Sequence, residues 1–116
     1  MSKRDVRLFL NDMSEAIEKI KRFTANLNFE DFERDDMVVD AVVRNLEIIG
    51  EAAKFIPADL RDKYPSIEWS RVVGFRNIVI HAYFDVDIQI VWTIATERLP
   101  ELEAILRKML KDLNQK

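Results

Sequence analysis

The sequence contains no cysteine, only two glycines and only three prolines in 116 residues. Without cysteine, the chain can form neither a disulfide nor a thiolate metal site, which is compatible with a reducing compartment. So few glycines and prolines cannot supply the many tight turns of an all-β fold, and their scarcity favours long helices. Uninterrupted apolar runs reach only three or four residues, so we expect no membrane-spanning segment and no signal peptide. These absences predict a cytoplasmic protein.

The composition that remains is typical of a folded protein. Apolar residues make up 48% of the chain and charged residues 34%, which favours a globular rather than a disordered chain. The length supports one domain, spanning residues 1–116, with a single hydrophobic core. The net charge is -3, whereas most proteins that bind nucleic acid through many phosphate contacts are basic. Any contact with RNA must therefore depend on a local patch.

Apolar residues recur at steps of three and four from the start of the chain, which predicts helices. Ser2 followed by Asp5 resembles a capping box at the beginning of the first helix. The pattern breaks over residues 26–32, where we expect a connection with one short helical turn. A second long helix is predicted over residues 34–55 and should be ended by Pro57.

Two more long helices follow, with a short helix before them over residues 58–63. Ser66 is the predicted N-cap of the third long helix, and Asp85 or Asp87 that of the last. Pro100 should kink or divide the last helix near Arg98 because proline lacks the backbone N–H. Four long helices with short connections predict an all-α fold, an antiparallel bundle.

The second helix carries two adjacent apolar stripes, an arc wider than a surface helix needs. We expect one stripe to face the core and the other to face a partner, and we expect a homodimer. The first stripe contains Val39, Val42, Leu46, Ile49, Ala53 and Ile56, and the second contains Val38, Ala41, Ile48, Ala52 and Phe55.

The segment RNIVIHAYF, residues 76–84, contains the only histidine of the chain, His81. On an ideal helix Asn77 shares a face with His81, whereas Arg76 lies roughly 140° away and shares a stripe with Tyr83. A bent arginine side chain, or a second copy across a two-fold axis, would bring the two charged groups together. Imidazole can move protons during attack of an RNA 2'-hydroxyl on the adjacent phosphate, and arginine can stabilise the phosphate charge. The simpler alternative is a packed, hydrogen-bonded histidine and a tyrosine at the edge of the core.

The flanking residues strengthen the motif. The stretch PSIEWSRVVGFRNIVIHAYFDVDIQIVW, with VVRNLEIIGEAAK before it, closely resembles the HepT family of toxins in the HEPN superfamily. The resemblance implies a four- to five-helix up-and-down bundle, a homodimer and a metal-independent endoribonuclease that needs no cofactor. It also implies a partner antitoxin, a minimal nucleotidyltransferase of the MntA type, which transfers AMP to a tyrosine and so silences the toxin.

Carried over to this sequence, the resemblance makes Arg76 and His81 the catalytic pair and Asn77 a supporting polar residue. Tyr83 becomes the tyrosine that accepts AMP. Two alternatives stay open. In the first, the chain is a non-catalytic helical module that binds a nucleotide and docks a nucleotidyltransferase. In the second, it is a helical protein whose motif is structural.

Overall fold

Every regular element that the structure describes is helical, which confirms the predicted all-α class. The computed structural model describes residues 5–75, 77 and 87–115. A π-helical segment, Ile94–Arg98, joins the last two α-helices. The α-helices are α1 Val6–Thr24, α2 Phe29–Arg34, α3 Asp36–Ala53, α4 Ala58–Asp62, α5 Trp69–Val73, α6 Ile88–Thr93 and α7 Leu99–Asn114.

The bundle is organised around the contact between α1 and α3. The two helices run in opposite directions, since Phe9 near the start of α1 stacks on Phe55 just after α3, with ring centroids 4.9 Å apart. On the other side, α1 also packs against α7. The buried residues of α1 recur at helical spacing and form its core face: Leu10, Met13, Ala16, Ile17 and Ile20.

The first helix is capped by Asp5 itself. Its carboxylate accepts a hydrogen bond of 2.9 Å from the backbone N–H of Arg7, and the Arg7 guanidinium lies 2.6 Å from the same carboxylate. Hydrogen bonds from the Arg7 side chain and backbone hold the pKa of Asp5 down at about 2. The prediction of a capping box with Asp5 in its fourth position was therefore wrong, because the short aspartate side chain caps the helix directly. Ser2 lies outside the described residues.

A complete capping box occurs instead at α2. The Asn28 side chain accepts from the Asp31 backbone N–H at 2.8 Å, and the Asp31 side chain accepts from the Asn28 N–H at 3.5 Å. The short helical turn expected within residues 26–32 is thus confirmed, and it extends to Arg34.

Helix α3 is shorter than predicted by two residues at each end. Asp35 caps its start by accepting from the Val38 N–H at 3.2 Å. The first apolar stripe is buried along its whole length, as predicted. The second stripe is only half-buried at Val38, Ala41 and Ile48, and Phe55 is 57% exposed.

Pro57 does not end α3 directly, because the helix stops at Ala53. Pro57 is the N-cap of α4 instead, and α4 covers nearly all of the short helix expected there. The Arg61 side chain reaches back from α4 and donates to the carbonyl oxygens of Ala53 at 2.6 Å and Ile56 at 2.9 Å. The bond to Ala53 satisfies one of the last carbonyl groups of α3, which lack intrahelical donors, and the bond to Ile56 holds the turn that follows the helix.

The third predicted helix starts later than expected. Helix α5 begins at Trp69 after Glu68, so the assignment of Ser66 as the N-cap was wrong. Ile67 and Trp69 are both buried. Residues two apart point roughly 200° apart on a helix, so a helical backbone from Ser66 would bury only one of them.

Pro100 has the predicted effect on the last helix. The π-helical segment ends at Arg98, directly before α7 begins. Pro100 lies in the first turn of α7, where the missing N–H is tolerated. Asp87 caps α6 by accepting from the Ile90 N–H at 3.3 Å, which confirms one of the two predicted caps. Asp85 lies outside the described residues.

Candidate functional site

Three of the four residues predicted for the site, Arg76, His81 and Tyr83, lie outside the described residues. Asn77 is described, and its exposed side chain is accessible to a ligand. Its backbone N–H donates to the Gly74 carbonyl at 2.9 Å. The predicted roles of all four residues stay predictions.

The segment that leads into the motif is anchored in the core. Trp69, Val72 and Phe75 are 8%, 6% and 6% exposed, and α5 packs against α3. The guanidinium carbon of Arg61 lies 5.8 Å from the centroid of the Trp69 ring, within the range of a cation–π contact. The same Arg61 that satisfies the end of α3 therefore also contacts the first residue of α5.

The segment that leads out of the motif is anchored by aromatic packing. The Trp92 ring of α6 lies 5.0 Å from Phe32 and 6.3 Å from Phe29, measured between centroids. Val91 is 1% exposed, and α6 also contacts α3. Both flanks of the motif are consequently packed on α3.

A cavity of about 390 Å³ lies between the α5 region and the last helix. This volume falls in the range of small-molecule sites, about 300–1,000 Å³. Gly74 and Phe75, the two residues before Arg76, line it directly. The other apolar lining residues are Ile67, Val72, Ile94, Leu102 and Ile105.

The charged residues that line the cavity come from two parts of the chain. Glu68 and Arg71 form an ion pair on one side, with Arg71 Nε 2.8 Å from Glu68 Oε2. Arg98 and Glu101 line the other side, and both are exposed. Neither side chain makes a hydrogen bond or ion pair with another residue that the structure describes.

Sequence reasoning did not find these four charged residues. Each pair is spaced three residues apart, which in isolation indicates only a solvated helix face. The two pairs lie on opposite sides of the motif in the sequence, and only tertiary packing places them around one cavity.

Two further findings apply to the described part of the chain. No group of three or more histidine, cysteine, aspartate or glutamate side chains there is arranged to hold a metal ion. None of the helices within residues 5–75 and 87–115 is long and apolar enough to cross a membrane.

Residues 13–109 match the family described as ribonuclease HepT-like. A Thermococcus cleftensis protein named "Probable ribonuclease HepT" is 43% identical over 109 residues, which cover 94% of this chain and 99% of that protein. A Methanocaldococcus jannaschii protein named "Putative RNase MJ1216" is 43% identical over 116 residues, which cover 100% of this chain and 96% of that protein. A Caldanaerobacter subterraneus protein named "Putative RNase TTE0752" is 38% identical over 102 residues, covering 88% of each chain. No solved structure matches the chain.

The helical fold and the match over residues 13–109 together indicate a ribonuclease of the HEPN type. The chain belongs to the ribonuclease HepT-like family. This confirms the resemblance seen in the sequence, the HEPN-like bundle and the predicted class of enzyme.

Proposed function

We propose that this protein is the toxin of a toxin–antitoxin pair, an endoribonuclease that cuts RNA without a metal ion. The observation that carries the proposal is the motif RNIVIHAY, which lies inside the 97 residues, 13–109, that match the HepT-like family. Relatives named as ribonucleases, each aligned over at least 88% of this chain, support an activity on RNA.

In the proposed reaction, the RNA 2'-oxygen attacks the adjacent phosphorus, and the bond to the 5'-oxygen breaks. The products are a 2',3'-cyclic phosphate and a 5'-hydroxyl. His81 removes the 2'-hydroxyl proton or protonates the leaving 5'-oxygen, since an imidazole titrates near neutral pH. Arg76 stabilises the charge that develops on the phosphate oxygens, and Asn77 orients the phosphate or the imidazole.

The experiment is cleavage of end-labelled RNA by the wild-type protein and by His81→Ala, with and without EDTA. Wild-type protein should cut in EDTA and leave cyclic phosphate ends. His81→Ala should be inactive while its circular dichroism and thermal unfolding match those of the wild type. The control is Glu97→Gln, which changes an exposed side chain outside the motif sequence and should cut normally. Cleavage retained by folded His81→Ala would falsify the catalytic role and favour a non-catalytic binding module.

We further propose that the active site is composite, with Arg76 of one protomer beside His81 of its partner in a homodimer. The half-buried second stripe of α3 and the exposed ring of Phe55 offer apolar surface for such an interface. Sedimentation should give about twice the mass of 13.7 kDa.

A mixture of two inactive variants tests the composite site. When Arg76→Ala and His81→Ala are unfolded together and refolded, half of the dimers should be mixed, and one of the two sites in each should be intact. The mixture should recover about a quarter of the wild-type activity. If each site uses both residues of one protomer, the mixture will stay inactive.

The antitoxin in this proposal is a minimal nucleotidyltransferase of the MntA type. It would transfer AMP from ATP to Tyr83: the phenol oxygen attacks the α-phosphorus, pyrophosphate leaves and the phenol proton is released. The added phosphate carries a negative charge that could pair with Arg76, and the added nucleotide could exclude RNA by its bulk.

A further inference from the structure

The cavity between α5 and the last helix combines an apolar interior with a rim of both charges. Phe75, Leu102 and Ile94 are buried residues of its lining, each no more than 7% exposed. Two arginines and two glutamates surround its opening. Because acids and bases are balanced there, the rim does not form the cationic surface that a phosphate group requires.

The two sides of the rim differ in whether their charged groups are already paired with each other. On one side Arg71 and Glu68 already bind each other. On the other side Arg98 and Glu101, one turn apart, have no partner among the described residues. An arginine offers up to five N–H donors and a carboxylate offers only acceptors, so this side presents both kinds of group to a ligand.

A nucleobase matches a cavity that has an apolar interior and a rim with both hydrogen-bond donors and acceptors. Its faces are apolar and stack on apolar or aromatic groups, while its edges carry both donors and acceptors. Proteins that recognise RNA by sequence read unstacked bases of single strands through such edges. Phe75, which lines the cavity, directly precedes Arg76 in the sequence.

We propose that this cavity binds one unstacked base of the RNA substrate, and that Arg98 and Glu101 select the base. The assignment rests on the proposed ribonuclease function and deepens it by adding residues that set the cleavage preference. Each good bidentate contact to a base edge discriminates against wrong bases by about tenfold or more.

The first test measures the cleavage preference on a pool of RNA with randomised sequence, by sequencing the product ends. Wild-type protein should prefer one base, or one pair of bases, at a fixed distance from the cut. Arg98→Gln and Glu101→Gln should each reduce that preference about tenfold, while the control Glu97→Gln, which does not line the cavity, should keep it. An unchanged preference in both rim variants would overturn the proposal.

The second test fills the cavity. Ile105→Trp puts a large ring into it, whereas Ala104→Trp puts the same ring on the exposed side of α7. Ile105→Trp should slow RNA cleavage at least about tenfold, and Ala104→Trp should not. Equal rates for the two folded variants would contradict base binding in the cavity.

The third test separates this proposal from the ribonuclease assignment, because it needs no cleavage. Isotope-labelled His81→Ala protein is titrated with each of the four nucleoside 5'-monophosphates, and amide signals are followed by NMR. The amides of Gly74 and Val72 should shift with at least one nucleotide, and adding Ile105→Trp should abolish the shifts. The base assignment fails if ribose 5-phosphate gives the same shifts. It also fails if these signals respond only to protein concentration, which would mean that a second copy of the chain fills the cavity.

Discussion

The phenol oxygen of Tyr64 lies 2.6 Å from Oδ2 of Asp112, a residue 48 positions further along the chain. Tyr64 is half-buried in the connection between α4 and α5, and Asp112 is exposed in the last turns of α7. The hydrogen bond therefore ties the segment that leads into the motif to the C-terminal helix.

Tyr64→Phe removes this bond and keeps the ring. We expect the free energy of unfolding to fall by about 1 kcal/mol, since the acceptor is exposed and water can replace the lost donor. Urea denaturation measures the change. In a double-mutant cycle with Asp112→Ala, the two changes should be less than additive. Full additivity would mean that the two groups do not interact in solution.

The same contact predicts a dependence of stability on alkaline pH. The hydrogen bond that the Tyr64 phenol donates to the Asp112 carboxylate, together with some burial, raises the pKa of Tyr64 to about 12 from its usual value of 10. The neutral phenol is favoured in the folded state, so this stabilisation is complete below pH 10. It is lost as the pH rises from 10 through 12. The difference in unfolding free energy between wild type and Tyr64→Phe should shrink over that window, and a constant difference would refute the assignment.

A third prediction concerns Arg61, whose side chain contacts both the last residue of α3, Ala53, and the first residue of α5, Trp69. Arg61→Met keeps most of the aliphatic stem and leaves the carbonyls of Ala53 and Ile56 without their charged donor. We expect a loss of about 1–3 kcal/mol in unfolding free energy and a change in the fluorescence of Trp69. Arg107→Met is the matched control. Arg107 is 67% exposed, so its loss should cost at most about 1 kcal/mol.

The proposed modification of Tyr83 is testable with Tyr64, the second tyrosine of the chain, as control. The protein is co-expressed with a nucleotidyltransferase of the MntA type, the proposed antitoxin, and peptide masses are mapped by fragmentation. The wild type and Tyr64→Phe should both carry AMP on Tyr83, since the phenol of Tyr64 is already bonded to Asp112. Tyr83→Phe should carry none and should stay toxic beside the partner. AMP on any other residue of an inactive toxin would sink this proposal.

Much of the fold follows from the sequence because helices depend on short-range information. Apolar spacing predicted α1 and the buried stripe of α3, and Pro100 predicted the irregular turn now seen as the π-helical segment Ile94–Arg98. Helix ends were harder to predict. Ser66 has the chemistry of a cap, but the burial of both Ile67 and Trp69 delays the helix, and burial is a tertiary property.

The candidate site also has one part that the sequence predicts and another that only the tertiary structure reveals. Residue type and spacing singled out Arg76, His81 and Tyr83 in the sequence, but their roles come from the resemblance to the HepT family and stay predictions. The match over residues 13–109 supplies the family. The cavity could not be found there, because Glu68 and Arg71 precede the motif while Arg98 and Glu101 follow it. A sequence fixes which groups are neighbours along a helix, at three or four residues apart. Only the tertiary fold brings these two distant pairs to the lining of one cavity.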